Sequence, residues 1–162
     1  MEIERKFLVK HLPDNLAQYA FWDIEQGYLS VNPTLRIRMF NNEYVLTVKS
    51  PRPVASSVAH KPIVNIEEEF PLSESAYLHL RAKCDSFVTK RRYRIPLDAL
   101  HAGCGYKGLT AELDVFTGCN EGLLLVEVEF PNVEAAHTFV PPEWFGEDVS
   151  MVPEYRNAAL AK

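Results

Sequence analysis

Cysteine is scarce in this chain and badly placed for its usual structural uses. Cys84, Cys104 and Cys119 are odd in number, far apart and without a Cys-x-x-Cys spacing, so neither a disulfide framework nor a zinc site is indicated. Three reduced thiols are the expectation. Long apolar runs are missing too: none approaches the roughly 18 residues that a membrane helix needs. The N-terminus has no basic stretch leading into an apolar one and opens directly into charged strand residues. A soluble, cytoplasmic protein without membrane contact is therefore expected. Nor is there an excess of positive charge. A net charge of −5 argues against nucleic acid as a partner, since backbone binding calls for a basic face without so many carboxylates beside it. His11, His60, His79, His101 and His137 are scattered with no metal-ligand spacing.

What the chain does have is charge in a strict order. Its 162 residues, 47 % apolar and 24 % charged, suit a single globular domain over 1–162. The opening run Glu2-Ile3-Glu4-Arg5-Lys6-Phe7-Leu8-Val9 reads as a strand, which puts Glu2, Glu4 and Lys6 on one face and Ile3, Arg5 and Phe7 on the other. The alternation recurs at Arg36 and Arg38, at Glu67 and Glu69, and at Lys90, Arg92 and Arg94. It returns at Glu112 and Asp114 and at Glu127 and Glu129, while Lys49 closes the run that begins at Tyr44. Summed over these strands, eight acids share one face with seven bases. A solvated face would mix in Thr, Ser, Gln and Asn and would alternate the signs along each strand. Here the signs are segregated: the strands at 36, 49 and 90 are cationic, and those at 67, 112 and 127 are anionic. Arg5, Glu68 and Arg91 fall on the opposite parity and read as solvated or helix-paired surface charges.

The rest of the chain supplies turns and a few helices. A short helix is expected through Tyr19, a strand from Trp22 to Leu29, and a tight hairpin at Asn41-Asn42-Glu43. The Pro- and Ser-rich stretch from Ser50 to Pro62 reads as a loop long enough to be a lid. Strands follow from Ile63 to Pro71, Phe87 to Pro96, Thr110 to Phe116 and Leu123 to Phe130. Ser73 and Asn132 are good caps for helices to about Lys83 and Phe139, and Pro153 suits the start of a last helix, Glu154 to Ala161. This last helix either plugs one end of the fold or packs against it. About eight strands with interspersed helices fit an α+β, mainly β architecture: an eight-stranded antiparallel β-barrel packed from outside and hollow within. Some fifteen charged groups cannot share a dry core unpaired, so water, metal or a polyanion must fill it.

In that order, Glu-x-Glu-x-Lys, Arg-x-Arg, a lone Lys, Glu-x-Glu, Lys-x-Arg, Glu-x-Asp and Glu-x-Glu resemble the triphosphate tunnel metalloenzymes of the CYTH superfamily. The chain looks like a small bacterial-type tripolyphosphatase of that group. The resemblance extends through Gln26-Gly27-Tyr28-Leu29 and Pro142-Glu143-Trp144-Phe145-Gly146 to Tyr155-Arg156-Asn157. It implies an eight-stranded tunnel that binds a linear triphosphate and a divalent metal and reacts at a phosphorus. Arg grips phosphate oxygens through parallel donors and Lys acts as a point charge, so Arg36, Arg38, Lys49, Arg92 and Arg94 are the candidate substrate ligands, with Lys6 and Lys90 the candidate catalytic cations. Mg²⁺ or Mn²⁺ prefers oxygen, which makes Glu2, Glu4, Glu127 and Glu129 the first candidates for metal, with Glu67, Glu69, Glu112 and Asp114 behind them.

Among the chemistries the resemblance allows, metal-dependent hydrolysis of a small, headless substrate such as inorganic tripolyphosphate is favoured. The chain lacks the His-Phe pair that cyclase-like relatives carry upstream of Glu-x-Glu-x-Lys and offers no obvious purine-stacking segment. A class IV type adenylate cyclase, a thiamine or nucleoside triphosphatase and a non-catalytic polyphosphate-binding module remain the alternatives, and the oligomeric state, a homodimer included, stays open.

Overall fold

The computed structural model describes residues 2–51, 62–100 and 108–162, with the backbone alone for 99 and 100. The stretch 52–61, on which the lid expectation rests, and 101–107 lie outside the described residues. Nine strands form the body: β1 (Glu2–Val9), β2 (Phe21–Val31), β3 (Thr34–Phe40), β4 (Glu43–Pro51), β5 (Ile63–Pro71), β6 (Ser86–Pro96), β7 (Thr110–Phe116), β8 (Leu124–Glu129) and β9 (Phe145–Asp148). Among the described residues, four short α-helices accompany them: α1 (Glu74–Arg81), α2 (Leu97–Leu100), α3 (Val133–Thr138) and α4 (Asn157–Leu160).

The strands run β5-β4-β3-β2-β6-β7-β8-β1, and β1 pairs back onto β5, closing an antiparallel eight-stranded barrel. The expected architecture is thus the observed one. Closure divides the free side of β1 between two partners: Glu2, Ile3 and Glu4 face β5, while Phe7 and Val9 face β9, a ninth strand that pattern reading overlooked. Four residues with a glycine among them are too few to show an alternation. The β3–β4 hairpin turns on Asn41 and Asn42, with φ of 48° and 64°. Both lie in the left-handed region that a two-residue turn matched to strand twist requires and that Asn tolerates. Gly27 is needed for another reason: a Cβ there would come within 2.7 Å of Cys84 Sγ and of the Phe87 ring, so the link after α1 can cross β2 only over a bare backbone.

Parity is as the sequence suggests, with the greasy side outward. Ile3, Phe7, Leu113, Val126 and Val128 point away from the barrel axis and are buried under Leu97 of α2, Ala136 of α3, Phe139, Trp144 and Phe145. Caps fix the helices where expected: Ser73 Oγ accepts from the Ala76 amide at 3.2 Å, and Asn132 Oδ1 from that of Ala135 at 2.8 Å. The terminal helix departs from expectation. A turn at Pro153–Tyr155 is followed by an extended Arg156 and only then by α4.

Arg5 is the main correction on the outer face. It is not a solvated charge but 3 % exposed, stacked over the Phe7 ring. Its guanidinium donates to Asp148 Oδ2 at 2.7 and 3.1 Å and to the carbonyls of Ala136 and Phe139 at 3.0 and 3.1 Å. Asp148 in turn accepts from Ser150, whose hydroxyl accepts from the Lys6 amide. Arg91 and Asp23 form the exposed pair that was expected of that parity. Removing one partner of a buried ion pair strands the other, so Arg5→Ala is expected to lower unfolding stability by about 3–5 kcal/mol in a denaturant titration. A loss below about 1 kcal/mol would mean that the network is not structural.

Candidate functional site

Register determines what meets inside the barrel. Inward parity gives Glu2, Glu4 and Lys6 on β1, Glu127 and Glu129 on β8, Glu112 and Asp114 on β7, and Glu67 and Glu69 on β5. These four strands are consecutive around the wall, so all eight acids form one arc. The other four strands complete the circle, with Lys49 on β4, Arg36 and Arg38 on β3, and Lys90, Arg92 and Arg94 on β6. Between β3 and β6, β2 turns Trp22, Gln26 and Tyr28 inward. Segregation of sign by strand has become segregation into two arcs.

The arcs join at two seams. At β4/β5, Lys49 Nζ lies 2.5 Å from Glu2 and 3.2 Å from Glu67, Arg36 lies 3.4 Å from Glu67, and Arg38 lies 3.0 Å from Glu69. At β6/β7, Arg92 binds Glu112, Asp114 and Glu127 at once, and Lys90 Nζ lies 2.5 Å from Asp114. Lys6 pairs with Glu127 at 2.8 Å. Burial alone would raise the Glu127 carboxyl, but Lys6, Arg92 and Lys90 hold it well below the usual carboxylate range. Lys90 goes the other way, pushed down by burial and by Arg92.

Some groups are left over. Glu4 and Glu129 sit directly opposite one another on β1 and β8, and neither has a cationic partner within ion-pair distance among the described residues. Burial raises both carboxyls, for Glu4 against the pull of Lys49 and Lys6, and neighbouring carboxylates add to it, Glu127 and Glu2 for Glu4, and Glu2 and Glu112 for Glu129. Burial raises Glu2 as well, against the pull of Lys49. Across the cavity the buried Nε donors of Arg36 and Arg38 have no acceptor among the described residues. One wall keeps carboxylates that form no ion pair, and the other keeps guanidinium donors that have no acceptor.

The space between has a volume of about 390 Å³. Glu2, Glu4, Glu67, Glu69, Glu112, Glu127, Glu129, Arg36, Arg38, Lys49 and Arg92 all line it, as the charge pattern suggested. Four candidates do not. Lys6, Lys90 and Asp114 lie buried one layer below its floor, and Arg94, 47 % exposed, folds at the rim onto the Trp22 ring, 5.1 Å from its centroid. Three lining residues were missed: Trp22 and Gln26, which share the inward parity of β2, and Asn157 from the terminal segment. Parity alone could have found the first two, had uncharged residues been followed as closely as charged ones.

At its far end the barrel is shut. Tyr28, Val88, Phe116 and Leu125 pack against Val149, Val152, Tyr155 and Leu160, and Lys162 exchanges backbone hydrogen bonds of 3.0 and 3.1 Å with Phe87. The terminal segment is therefore a plug. Its broken helix directs the Tyr155 carbonyl to Lys6 Nζ and Asn157 Oδ1 to Lys90 Nζ, each at 3.2 Å.

No three His, Cys, Asp or Glu groups stand together as a ready-made metal cage among the described residues. A hard divalent cation needs no such cage, because one or two carboxylates suffice when phosphates and water complete the shell. Glu4 and Glu129, facing one another without an ion pair among the described residues and near Glu2, fit that demand. No helix among the described residues is long and apolar enough to cross a membrane.

Comparison with known proteins agrees with this geometry. The CYTH domain profile matches residues 1–148. An inorganic triphosphatase of Nitrosomonas europaea is 37 % identical over 99 % of this chain and 96 % of its own, and one of Acetivibrio thermocellus is 32 % identical over 99 % and 93 %. The crystal structure of an inorganic triphosphatase superposes with a TM-score of 0.66 at 35 % identity, over 99 % of this chain and 93 % of that one. A Pyrococcus horikoshii protein shares the fold alone, with a TM-score of 0.57 at 21 % identity over 84 % and 83 %. The chain belongs to the CYTH domain family.

Proposed function

We propose that this protein hydrolyses a linear inorganic triphosphate, with a divalent metal ion, in the charged cavity of its barrel. The observation that carries this reading is the pair of unmet demands on facing walls: buried Arg36 and Arg38 Nε donors without acceptors, and the facing carboxylates Glu4 and Glu129 without an ion pair among the described residues. A metal-bound polyphosphate is their complement. The two full-length relatives called inorganic triphosphatases support the same substrate.

In this reading Arg36, Arg38, Lys49 and Arg92 grip phosphate oxygens, Arg by parallel donors and Lys by charge. Glu2, Glu4 and Glu129 would hold Mg²⁺ or Mn²⁺, with Glu67, Glu69, Glu112 and Glu127 around them. The bound metal would neutralise phosphate charge and make water a better nucleophile. Asp114 does not reach the cavity and serves to hold Lys90 and Arg92. Lys6 and Lys90 supply a fixed positive field beneath the innermost phosphate, where negative charge builds up as the bond breaks. Since Lys6 and Lys90 are already oriented by Tyr155 and Asn157, little rearrangement is needed during reaction. The whole of 1–162 acts as one unit, because the cavity is walled by the barrel and floored by the tail. Free thiols at Cys84 and Cys119 accord with a cytoplasmic site of action.

Phosphate release from tripolyphosphate, ATP and thiamine triphosphate with Mg²⁺, Mn²⁺ or EDTA tests the reading. Metal-dependent release, fastest from tripolyphosphate, is expected. Release from none of the three would leave a binding module, and cyclic AMP from ATP would make it a cyclase. Lys6→Ala is expected to lower kcat about 100-fold while KM moves far less, because its charge acts on the transition state. Unchanged turnover would remove Lys6 from the chemistry.

A third test uses pH and metal together. Glu2, Glu4 and Glu129 are raised above 4.5, and a carboxylate binds metal only when deprotonated. Mn²⁺ affinity measured by calorimetry should therefore fall on acidification from a pH above the ordinary carboxylate range. A carboxyl whose pKa is raised by folding destabilises the fold above that pKa. Without metal, Glu4→Gln should leave the melting temperature unchanged or raise it, while Mn²⁺ binding weakens about 10-fold or more. A lower melting temperature with Mn²⁺ affinity intact would show that Glu4 is structural.

A further inference from the structure

Asn157 is the one residue of the terminal segment that lines the cavity, and it lies outside the stretch 1–148 matched by the CYTH profile. Its side chain stands between the cavity and Lys90, and the contact with Lys90 fixes which way round the amide sits. An ammonium has three donors and no acceptor, so the atom 3.2 Å from Lys90 Nζ must be the carbonyl oxygen. The NH₂ group is therefore turned away from Lys90. Among the described residues no acceptor takes a hydrogen bond from Asn157 Nδ2, which is not a fully buried atom, and the residue lines the cavity.

The position is held from several directions. Asn120 Nδ2 donates to the Leu160 carbonyl at 2.7 Å, Lys162 is paired in both directions with Phe87, and the Tyr155 carbonyl accepts from Lys6. Lys90 is itself fully buried and tied to Asp114. A donor clamped in this way, beside a Lys90 that does not itself line the cavity, suits an anionic oxygen.

We infer that Asn157 is a substrate-binding residue contributed by the plug: its Nδ2 donates to an oxygen of the innermost phosphoryl group, and its Oδ1 is locked by Lys90. Resting on the triphosphate reading, this assigns the end of the cavity next to the plug to a terminal phosphoryl group, so the substrate binds end-on with that group against the plug. No bond is made or broken by Asn157. It orients the end of the chain and passes the influence of Lys90 to it.

Asn157→Asp is the informative variant, because it keeps an acceptor for Lys90, loses both donors and puts negative charge where the phosphoryl oxygen would lie. Tripolyphosphate binding would be measured by calorimetry in EDTA, where turnover does not interfere, with Mn²⁺ affinity and melting temperature recorded alongside. Asn157→Asp is expected to weaken tripolyphosphate binding at least about tenfold and Asn157→Ala by less, with Mn²⁺ affinity and melting temperature close to wild type. Wild-type affinity in Asn157→Asp would overturn the assignment, and so would losses in both variants that merely follow falling melting temperatures. If wild type binds tripolyphosphate and Asn157→Asp does not, while neither hydrolyses it, the binding role stands and the hydrolytic reading fails.

Discussion

A charge removed from water must be matched by another charge or by water brought in with it, and this requirement organises the whole molecule. Barrel closure brings eight acids and six cations onto opposing arcs of one inner wall. At the seams the two kinds pair directly, Lys49 with Glu2 and Glu67, and Arg92 with Glu112, Asp114 and Glu127. Away from the seams they cannot. Glu4 and Glu129 have no ion pair of their own among the described residues, and the buried Nε atoms of Arg36 and Arg38 have no acceptor there. Replacing buried ion pairs with well-packed apolar residues is often neutral or stabilising, so a wall of this kind points to use rather than to folding.

With the interior given over to charge, hydrophobic burial has to come from outside. α3, β9 and the segment between them lie over β1, β7 and β8 and form a core against the outer faces of the strands. Arg5 belongs to this arrangement: a cation on the apolar side of β1, neutralised by Asp148 and fixed by the carbonyls that end α3. The same residues prepare the site. Asp148 holds Ser150, Ser150 holds the backbone of Lys6, and from there the chain turns into the plug that meets Lys6 and Lys90 from below. Outer packing and inner chemistry are thus joined through the stretch from Asp148 to Asn157, at the end of β9 and the start of the tail.

Much of this could be read from the sequence because a strand alternates strictly and a barrel has only an inside and an outside. The parity of Glu2, Arg36, Lys49 and Glu127 was enough to place them on one wall. What parity cannot give is depth along the barrel or the path of an irregular chain. Lys6 and Lys90 share their faces with residues of the lining but sit deeper, against the plug, while Arg94 lies so near the rim that it bends onto Trp22. Asn157 and β9 lie where the chain follows neither a strand nor a helix period for long enough to be recognised. Arg5 was misjudged because its partners, two carbonyls and Asp148, are more than a hundred residues away.

The most direct test is a crystal structure of the protein with Mn²⁺ and tripolyphosphate, collected for the anomalous signal of manganese. The expected result is a manganese peak between Glu2, Glu4 and Glu129, with phosphoryl oxygens reaching Arg36, Arg38 and Arg92 inside the barrel. Manganese and tripolyphosphate bound only on the outer surface, with the inner ion pairs undisturbed, would contradict it.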